Sequence, residues 1–312
     1  MRRPGTIAFV IPVYRNERAV TLTYEKLTGL FASPSGPLAA WSYTMVFVDD
    51  GSDDGSLAEL KAIRARDERV KVVSFTRNFG QMAAMLAGFA HAEGDVVLNL
   101  SADLQDPVDL IPKMVDAWQN GGEVVIAYRA NREDTWTSRL ASRLFYSIVR
   151  VSYPQIPQGG FDYILLDRTV MDAFNAIDVR NRFFQGDILW FGYRTTFIPY
   201  TRQRRTIGRS QYTFSKKLKN SLDAILDSSY LPIRFISAAG VITALLGFLY
   251  AIDIAYARWM RQIPVTGWAP IMILLLIIGG LIMLMLGVIG EYIWRIYDEV
   301  RGKPNYVIRE IQ

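Results

Sequence analysis

The chain has no cysteine and a single histidine, His91, in 312 residues. The first absence rules out disulfides and thiolate metal sites, and agrees with a reducing compartment. The second leaves no material for a histidine-based catalytic triad or a histidine-rich zinc centre. There is no Gly-x-x-x-x-Gly-Lys-Ser/Thr loop and no Gly-x-Gly-x-x-Gly fingerprint, so neither a P-loop nor a dinucleotide-binding turn is on offer. Met1-Arg2-Arg3 runs into Pro4-Gly5 and a short strand-like stretch, not into an apolar signal-peptide core. Any chemistry here falls to carboxylates, amides, hydroxyls and arginines.

What the chain has in excess is apolar length. It is 51% hydrophobic, and the surplus lies near the C-terminus. Residues 236–257 carry one charge, Asp253, and residues 270–290 carry none. Each stretch is long enough to cross a hydrocarbon core of ~30 Å. The intervening 258–269, with arginine, proline and glycine, suits a short turn outside the bilayer. Asp253 falls ~26 Å along the first span at ~1.5 Å per residue, near the far interface. Trp259 and Trp268 suit an aromatic belt there, and Gly279, Gly280, Gly287 and Gly290 suit close helix packing, within the hairpin or between protomers. Two spans make a hairpin with both chain ends on one side. Lys216, Lys217, Lys219 and Arg234 precede it and Arg295, Arg301 and Lys303 follow, against Arg258 and Arg261 in the turn. The positive-inside rule therefore predicts a multi-pass protein of the inner (cytoplasmic) membrane, with the N-terminal domain and both termini cytoplasmic.

The net charge of +5 hides a local concentration. Arg202, Arg204, Arg205, Arg209, Lys216, Lys217 and Lys219 fall within eighteen residues that contain no acid, and without them the chain is net negative. A basic patch directly before the first span points to an anionic membrane surface as partner and not to nucleic acid. Phe214, Leu218, Leu222, Ile225 and Leu226 recur at helical intervals opposite the lysines, which predicts an amphipathic interfacial helix. The expected organisation is a cytoplasmic domain over 1–210, the interfacial helix over 211–230, and a membrane hairpin with a cytoplasmic tail over 231–312.

Before residue 210, strands and helices alternate. Strands are expected over 7–14, 43–48, 70–75, 95–100 and 124–127, with helices over about 19–31, 56–66 and 81–91. That pattern gives βαβ units and a mostly parallel, Rossmann-like α/β sheet. Beyond it, 138–151 reads as a helix, Gly159-Gly160-Phe161-Asp162 as a tight turn into a strand over 163–166, and 182–190 as a helix.

Acceptor side chains gather at successive strand ends. Glu17 follows the first strand, Asp49 and Asp50 end the second, and Asp103 with Gln105 ends the fourth. Open α/β sheets bind ligands at the carboxyl edge. A carboxylate and an amide oxygen suit Mg²⁺ or Mn²⁺, especially where diphosphate oxygens complete the shell. Taken singly, each acid also fits a turn or helix cap, and Asp103 and Asp106 could simply cap the helix after Pro107.

Several stretches together resemble a known family. Ile11-Pro12-Val13-Tyr14-Arg15-Asn16-Glu17, Val48-Asp49-Asp50-Gly51-Ser52, Arg77-Asn78-Phe79-Gly80 and Ala102-Asp103-Leu104-Gln105-Asp106-Pro107 are similar to motifs of the family 2 glycosyltransferases of the GT-A fold. Gly160-Phe161-Asp162, Gly186-Asp187-Ile188-Leu189-Trp190, Arg205-Thr206-Ile207-Gly208-Arg209-Ser210 and Gly290-Glu291-Tyr292 extend the likeness along the chain. Their order, joined to a two-span tail, resembles the polyisoprenyl-phosphate glycosyltransferases, which include dolichol-phosphate mannose synthases and bacterial glucosyl- and aminoarabinosyl-transferases.

The resemblance implies transfer of a hexose from a nucleotide-sugar to a polyprenyl phosphate at the cytoplasmic leaflet. By the same resemblance Pro12, Tyr14, Glu17, Asp49, Asp50, Ser101 and Ala102 would hold the nucleotide, and Asp103 and Gln105 would ligate Mg²⁺ or Mn²⁺. Arg129 and Arg205, with Asp103, would carry the reaction, while Arg139, Asp162, Arg202, Arg209 and Ser210 would serve the acceptor and phosphates. UDP-glucose is favoured as donor on family frequency, with GDP-mannose, UDP-galacturonic acid and UDP-aminoarabinose as alternatives. A homotetramer through the membrane helices is also implied. Many members carry Asp-x-Asp where this chain has Ser101-Ala102-Asp103, which removes one carboxylate and raises the alternative of a catalytically weakened membrane scaffold. A processive polysaccharide synthase would need more membrane helices than two. The chemistry asks for no histidine, because a phosphate monoester acceptor is already anionic near neutral pH, its second pKa being about 6.

Overall fold

The computed structural model describes residues 2–130, 145–179, 182–201, 231–260 and 267–312. It falls into two compact units, Met1–Ile225 with Pro304–Gln312, and Leu226–Lys303.

The first unit is built on one sheet. Its strands are β1 (Thr6–Val13), β2 (Ser42–Asp49), β3 (Val70–Phe75), β4 (Val96–Asn99), β5 (Val124–Arg129), β6 (Tyr163–Asp167), β7 (Thr195–Tyr200) and β8 (Ile308–Ile311), in the order β7-β5-β6-β4-β1-β2-β3-β8. β6 runs against its neighbours β4 and β5, and β8 runs against β3, while the other pairings are parallel. The mostly parallel sheet expected from the strand pattern is present.

Parallel strands covered by helices on both faces read as unbroken apolar runs, and β1 shows why. Ile7, Phe9 and Ile11 pack on one side with α1 (Ala19–Ala32), α2 (Ser56–Arg66) and α4 (Ile111–Gln119). Ala8 and Val10 face the other side with α3 (Gln81–His91) and the later helices α6 (Arg168–Asn175) and α7 (Phe184–Trp190). Residues 145–152 are helical (α5), which is the described part of the helix expected over 138–151. The strands β7 and β8 and the helix α6 had no counterpart in the sequence reading, and α7 begins at Phe184, two residues later than expected.

The second unit is a pair of helices, α8 (Leu231–Met260) and α9 (Trp268–Val300). At ~1.5 Å per residue each exceeds the thickness of a bilayer core. Their most apolar stretches, Ile233–Asp253 and Ile277–Val300, are almost wholly uncovered by protein, 6% and 0% buried. Apolar side chains exposed all round a helix demand a non-aqueous surrounding. α9 runs beyond the expected end at 290, and Glu291 and Arg295 pair at 3.6 Å one turn apart in its last turns. Gly240 of α8 lies against Met285 of α9, whereas a side-chain carbon added at Gly279, Gly280, Gly287 or Gly290 would meet nothing within 4 Å. The glycine series therefore does not serve packing within the described hairpin. The interfacial helix expected over 211–230 lies outside the described residues.

Candidate active site

The chain winds from β1 to β2 to β3 on one side of β1, then places β4 on the other. At such a reversal the connections leave in opposite directions, and a crevice opens at the carboxyl ends of the two diverging strands. Val13 is in register with Asp49, the Asp50 amide donates to the Val13 carbonyl (2.9 Å), and the Leu100 amide donates to the Val10 carbonyl (3.1 Å). Tyr14, Asp49, Asp50 and Ser101 to Asp103 therefore share one edge, as the strand-end pattern suggested.

The loop after β4 is held at nearly every residue. Thr23, buried on α1, shares its one hydroxyl proton between the Ala19 carbonyl (2.8 Å) and the Ala102 carbonyl (3.1 Å). The Ser101 amide donates to Asp106 Oδ2 (3.2 Å), and the Gln105 amide to Asp103 Oδ1 (3.2 Å). Tyr200 donates to Asp106 Oδ1 (2.9 Å) and Tyr163 to the Pro107 carbonyl (3.1 Å). So constrained, Leu104 takes φ 56°, a left-handed backbone that a leucine adopts only when its surroundings over-determine it. Asp103 and Asp106 are both buried. Asp106 thus closes the loop, a role distinct from the helix cap that its position before Pro107 allowed.

The loops after β1 and β2 are zipped together. The amides of Arg15, Asn16, Glu17 and Arg18 donate to Ser52 Oγ (3.0 Å), Ser56 Oγ (2.9 Å), Asp54 Oδ2 (3.3 Å) and Glu59 Oε1 (2.8 Å). Arg15, with φ 52°, forms a fork with exposed Asp53 (2.6 Å) and lies 5.3 Å from the Tyr14 ring centre. Pro12 and Tyr14 are half-buried, while Glu17 is exposed beside Gly55. Asp49 accepts from the Ser52 amide (3.2 Å) and Ser74 Oγ (3.3 Å), and Asp50 from the amides of Phe79 (2.6 Å) and Gly80 (2.9 Å). Burial pushes both carboxyls above their ordinary range, against these hydrogen bonds. Asp50 therefore organises the start of α3, and each carboxylate oxygen keeps acceptor capacity for a ligand.

On the other flank, Arg129 ends β5 with its guanidinium 3.5 Å from Asp162. Burial works against its charge, but Asp162, Tyr200 and Asp106 together hold it above its ordinary value. Asp162 does more than cap its turn, since that partner is a cation from the neighbouring strand. Asn99 Nδ2 and Gln185 Nε2 anchor the turn by donating to the Asp162 and Phe161 carbonyls, both at 2.8 Å. Asp187, in a motif of the family resemblance, is bound to buried Arg182 (2.9 Å), and burial raises its carboxyl. It braces the base of α7. Arg139, Arg202, Arg205, Arg209 and Ser210 lie outside the described residues.

The donor set at the β4 edge is one buried carboxylate, Asp103, followed two residues on by the Gln105 amide, with no cluster of three or more acidic or histidine groups among the described residues. This suits a hard divalent ion that keeps most of its positions for phosphate oxygens and water. A self-sufficient all-protein cage is not present there.

Residues 8–209, which carry the reversal at β1 and the loop after β4, match a family model described as glycosyl transferase family 2. The chain belongs to glycosyl transferase family 2. Its sheet is that of the GT-A fold. Over 306 residues the chain is 33% identical to a bactoprenol glucosyl transferase derived from prophage SfII in Shigella flexneri, covering 97% of each chain. It is 35% identical over 312 residues to the uncharacterized glycosyltransferase YkcC of Bacillus subtilis, covering 99% of this chain and 95% of that one. Among solved structures, glucosyl-3-phosphoglycerate synthase from Mycobacterium tuberculosis, in complex with Mg²⁺ and UDP, superposes with a TM-score of 0.52 at 17% identity, over 70% of this chain and 76% of that one.

Thr23, Asp106, Tyr163 and Tyr200 hold this edge, yet only Asp106 stands in a recognisable motif. The other three reach the loop from one helix and two strands remote in sequence, and no local spacing signals them.

Proposed function

We propose that this glycosyltransferase moves a hexose from a nucleotide-sugar, UDP-glucose first among the candidates, to a polyprenyl phosphate at the cytoplasmic leaflet. The observation that carries the reading is the over-determined loop after β4. It fixes Asp103 and Gln105 beside the crevice, in a chain alike from end to end to a bactoprenol glucosyl transferase.

Asp103 and Gln105 would hold Mg²⁺ or Mn²⁺, which when bound supplies positive charge to the diphosphate leaving group. Tyr14, Asp49 and Asp50 line the nucleoside end of the edge. Arg129, kept charged by Asp162, adds fixed positive charge near the phosphates, and the basic segment around Arg205 serves the acceptor. The acceptor's phosphate oxygen forms the new bond to the anomeric carbon, the bond from that carbon to the diphosphate oxygen breaks, and the electron pair leaves with the nucleotide. No proton changes hands, so the step needs no general base. A single displacement inverts the anomeric configuration, with catalysis drawn from alignment and electrostatic stabilisation.

The chain leaves the sheet unit before the apolar helices and rejoins it at Pro304, which supports an even number of crossings and a shared side for both ends. Incubation of the purified protein with a panel of labelled nucleotide-sugars, polyprenyl phosphate and Mg²⁺ or Mn²⁺ tests the proposal. Lipid-linked hexose of inverted anomeric configuration by proton NMR is expected. Retained configuration, or no transfer from any donor despite lipid binding, overturns it, the latter in favour of a scaffold.

A further inference from the structure

The last residues of the chain return to the catalytic sheet. After α9 ends at Val300, β8 pairs antiparallel with β3 and covers what would otherwise be an open edge. Val72 and Gln312 exchange both backbone hydrogen bonds at 2.9 Å, the Thr76 amide donates to the Val307 carbonyl (3.1 Å), and the Arg309 guanidinium donates to the Thr76 carbonyl (3.1 Å). Lys61 and Glu310 form an ion pair at 2.5 Å.

These contacts converge on the segment that holds the acidic strand ends. Tyr306 stacks on Phe75 at 5.1 Å between ring centres and 12° between planes. Phe75 meets Phe79 edge-on at 5.7 Å, and the amides of Phe79 and Gly80 are the donors to Asp50. Ser74, paired with Glu310 across the ladder, donates to Asp49. The path from Tyr306 to Asp50 is thus two ring contacts and one hydrogen bond, and all of it lies in one compact unit.

We propose that the C-terminal strand is a positioning element for the nucleotide-sugar donor. By clamping residues 74–80 from the outside, it fixes Asp49 and Asp50 in the orientation that receives the nucleoside. This rests on the reading of that edge as the nucleotide pocket. Without the tail, β3 becomes a free edge, Phe75 loses its stacked partner, and the 76–80 loop loses two of its backbone anchors. The consequence falls on donor binding, because Asp103, Gln105 and Arg129 stand on the far side of β1.

The test uses the membrane-inserted protein and three variants: termination after Lys303, Tyr306→Ala and Tyr306→Phe. UDP and GDP affinity, donor KM and kcat, and amide hydrogen exchange at Phe79 and Gly80 are measured for each. Termination is expected to weaken UDP binding and raise donor KM by about tenfold, with kcat at saturating donor within about threefold of the parent, the pattern of lost binding without lost chemistry. Tyr306→Ala should shift both in the same direction, Tyr306→Phe should stay near the parent, and a peptide of residues 304–312 added to the terminated protein should restore affinity. Phe79 and Gly80 should exchange faster whenever affinity falls. Unchanged affinity together with unchanged exchange in Tyr306→Ala overturns the clamp, even if the terminated protein fails to fold. Failure of the unaltered protein to bind UDP or GDP would instead overturn the nucleotide reading, and the exchange measurement still decides whether the tail holds the loop.

Discussion

Tyr200 donates its hydroxyl to Asp106 at 2.9 Å, with both residues buried, and so joins the last residue of β7 to the loop after β4. Burial pushes the Tyr200 hydroxyl far above its ordinary value, so it remains a donor at any physiological pH. Asp106 in turn accepts from the Ser101 amide and sets the path of the chain into Asp103. Tyr200→Phe removes a hydrogen bond to a buried carboxylate, a loss of about 1.5–3 kcal/mol, together with the hydrogen bond that the hydroxyl accepts from Arg129. The sheet unit should unfold at lower temperature, and activity should need more Mg²⁺ or Mn²⁺ for half-saturation. Thermal unfolding and a metal titration of turnover check both; a variant unchanged in each would show that the bond does not govern the loop.

Asp103 is the one carboxylate of the proposed metal pair. Asp103→Ala should lower metal-dependent turnover by about 10²-fold or more, the scale expected when electrostatic stabilisation of the leaving group is lost. The apolar helices should still insert, because nothing in their sequence depends on this loop. Labelled-sugar transfer together with membrane fractionation reads the two effects separately. Full activity in the variant would remove Asp103 from the metal's ligands.

Much of the sheet unit could be read from the chain because its physics is local. β1 to β5 are apolar runs closed by turn residues, and the acids after β1, β2 and β4 mark the carboxyl edge. β7 and β8 escaped because Thr195–Tyr200 and Ile308–Ile311 are half-exposed, and β8 becomes a strand only when β3 is beside it. Of the site, Asp103 and Arg129 could be placed by motif and strand end. Thr23, Tyr163 and Tyr200 could not, since each is an ordinary helix or strand residue until tertiary contact brings its hydroxyl to the loop. Asp187 shows the converse: a motif residue whose acid is taken up by Arg182.

Gly51 has φ 67°, and a side-chain carbon built on it would collide with the Arg77 carbonyl carbon and lie 2.7 Å from both Arg77 Cα and the Asn78 amide nitrogen. These are backbone atoms, so no rotamer change can relieve the clash. Gly51→Ala therefore meets a left-handed backbone and a steric block together, with a cost of about 2–4 kcal/mol. The segment it pushes away carries the Phe79 amide that donates to Asp50. The expected outcome is weaker UDP binding in calorimetry along with reduced thermal stability. Normal nucleotide affinity would show that the 77–79 segment can shift without disturbing the pocket.

The acid limb of stability should depend on Asp67. Its side chain is buried and takes a two-pronged hydrogen bond from the Arg69 guanidinium at 2.9 and 3.0 Å, with two more from the Arg69 backbone amide and the Tyr24 hydroxyl, both at 3.0 Å. The Arg69 hydrogen bond, against a desolvation cost, holds the carboxyl below its ordinary value. A carboxyl depressed in the folded state binds protons more weakly than in the unfolded chain, whose value is about 3.9. Its stabilisation is therefore complete above that value and is lost as pH falls through the folded one. Asp49, Asp50 and Asp187 have the opposite sign: burial raises them, so their contribution is largest at low pH and fades as pH rises through their folded values. Thermal unfolding from pH 3 to 7 should show the parent losing stability below about pH 4, and Asp67→Asn should be less stable at pH 7 with a shallower fall on acidification. An equally steep acid limb in that variant would assign the loss to other carboxylates.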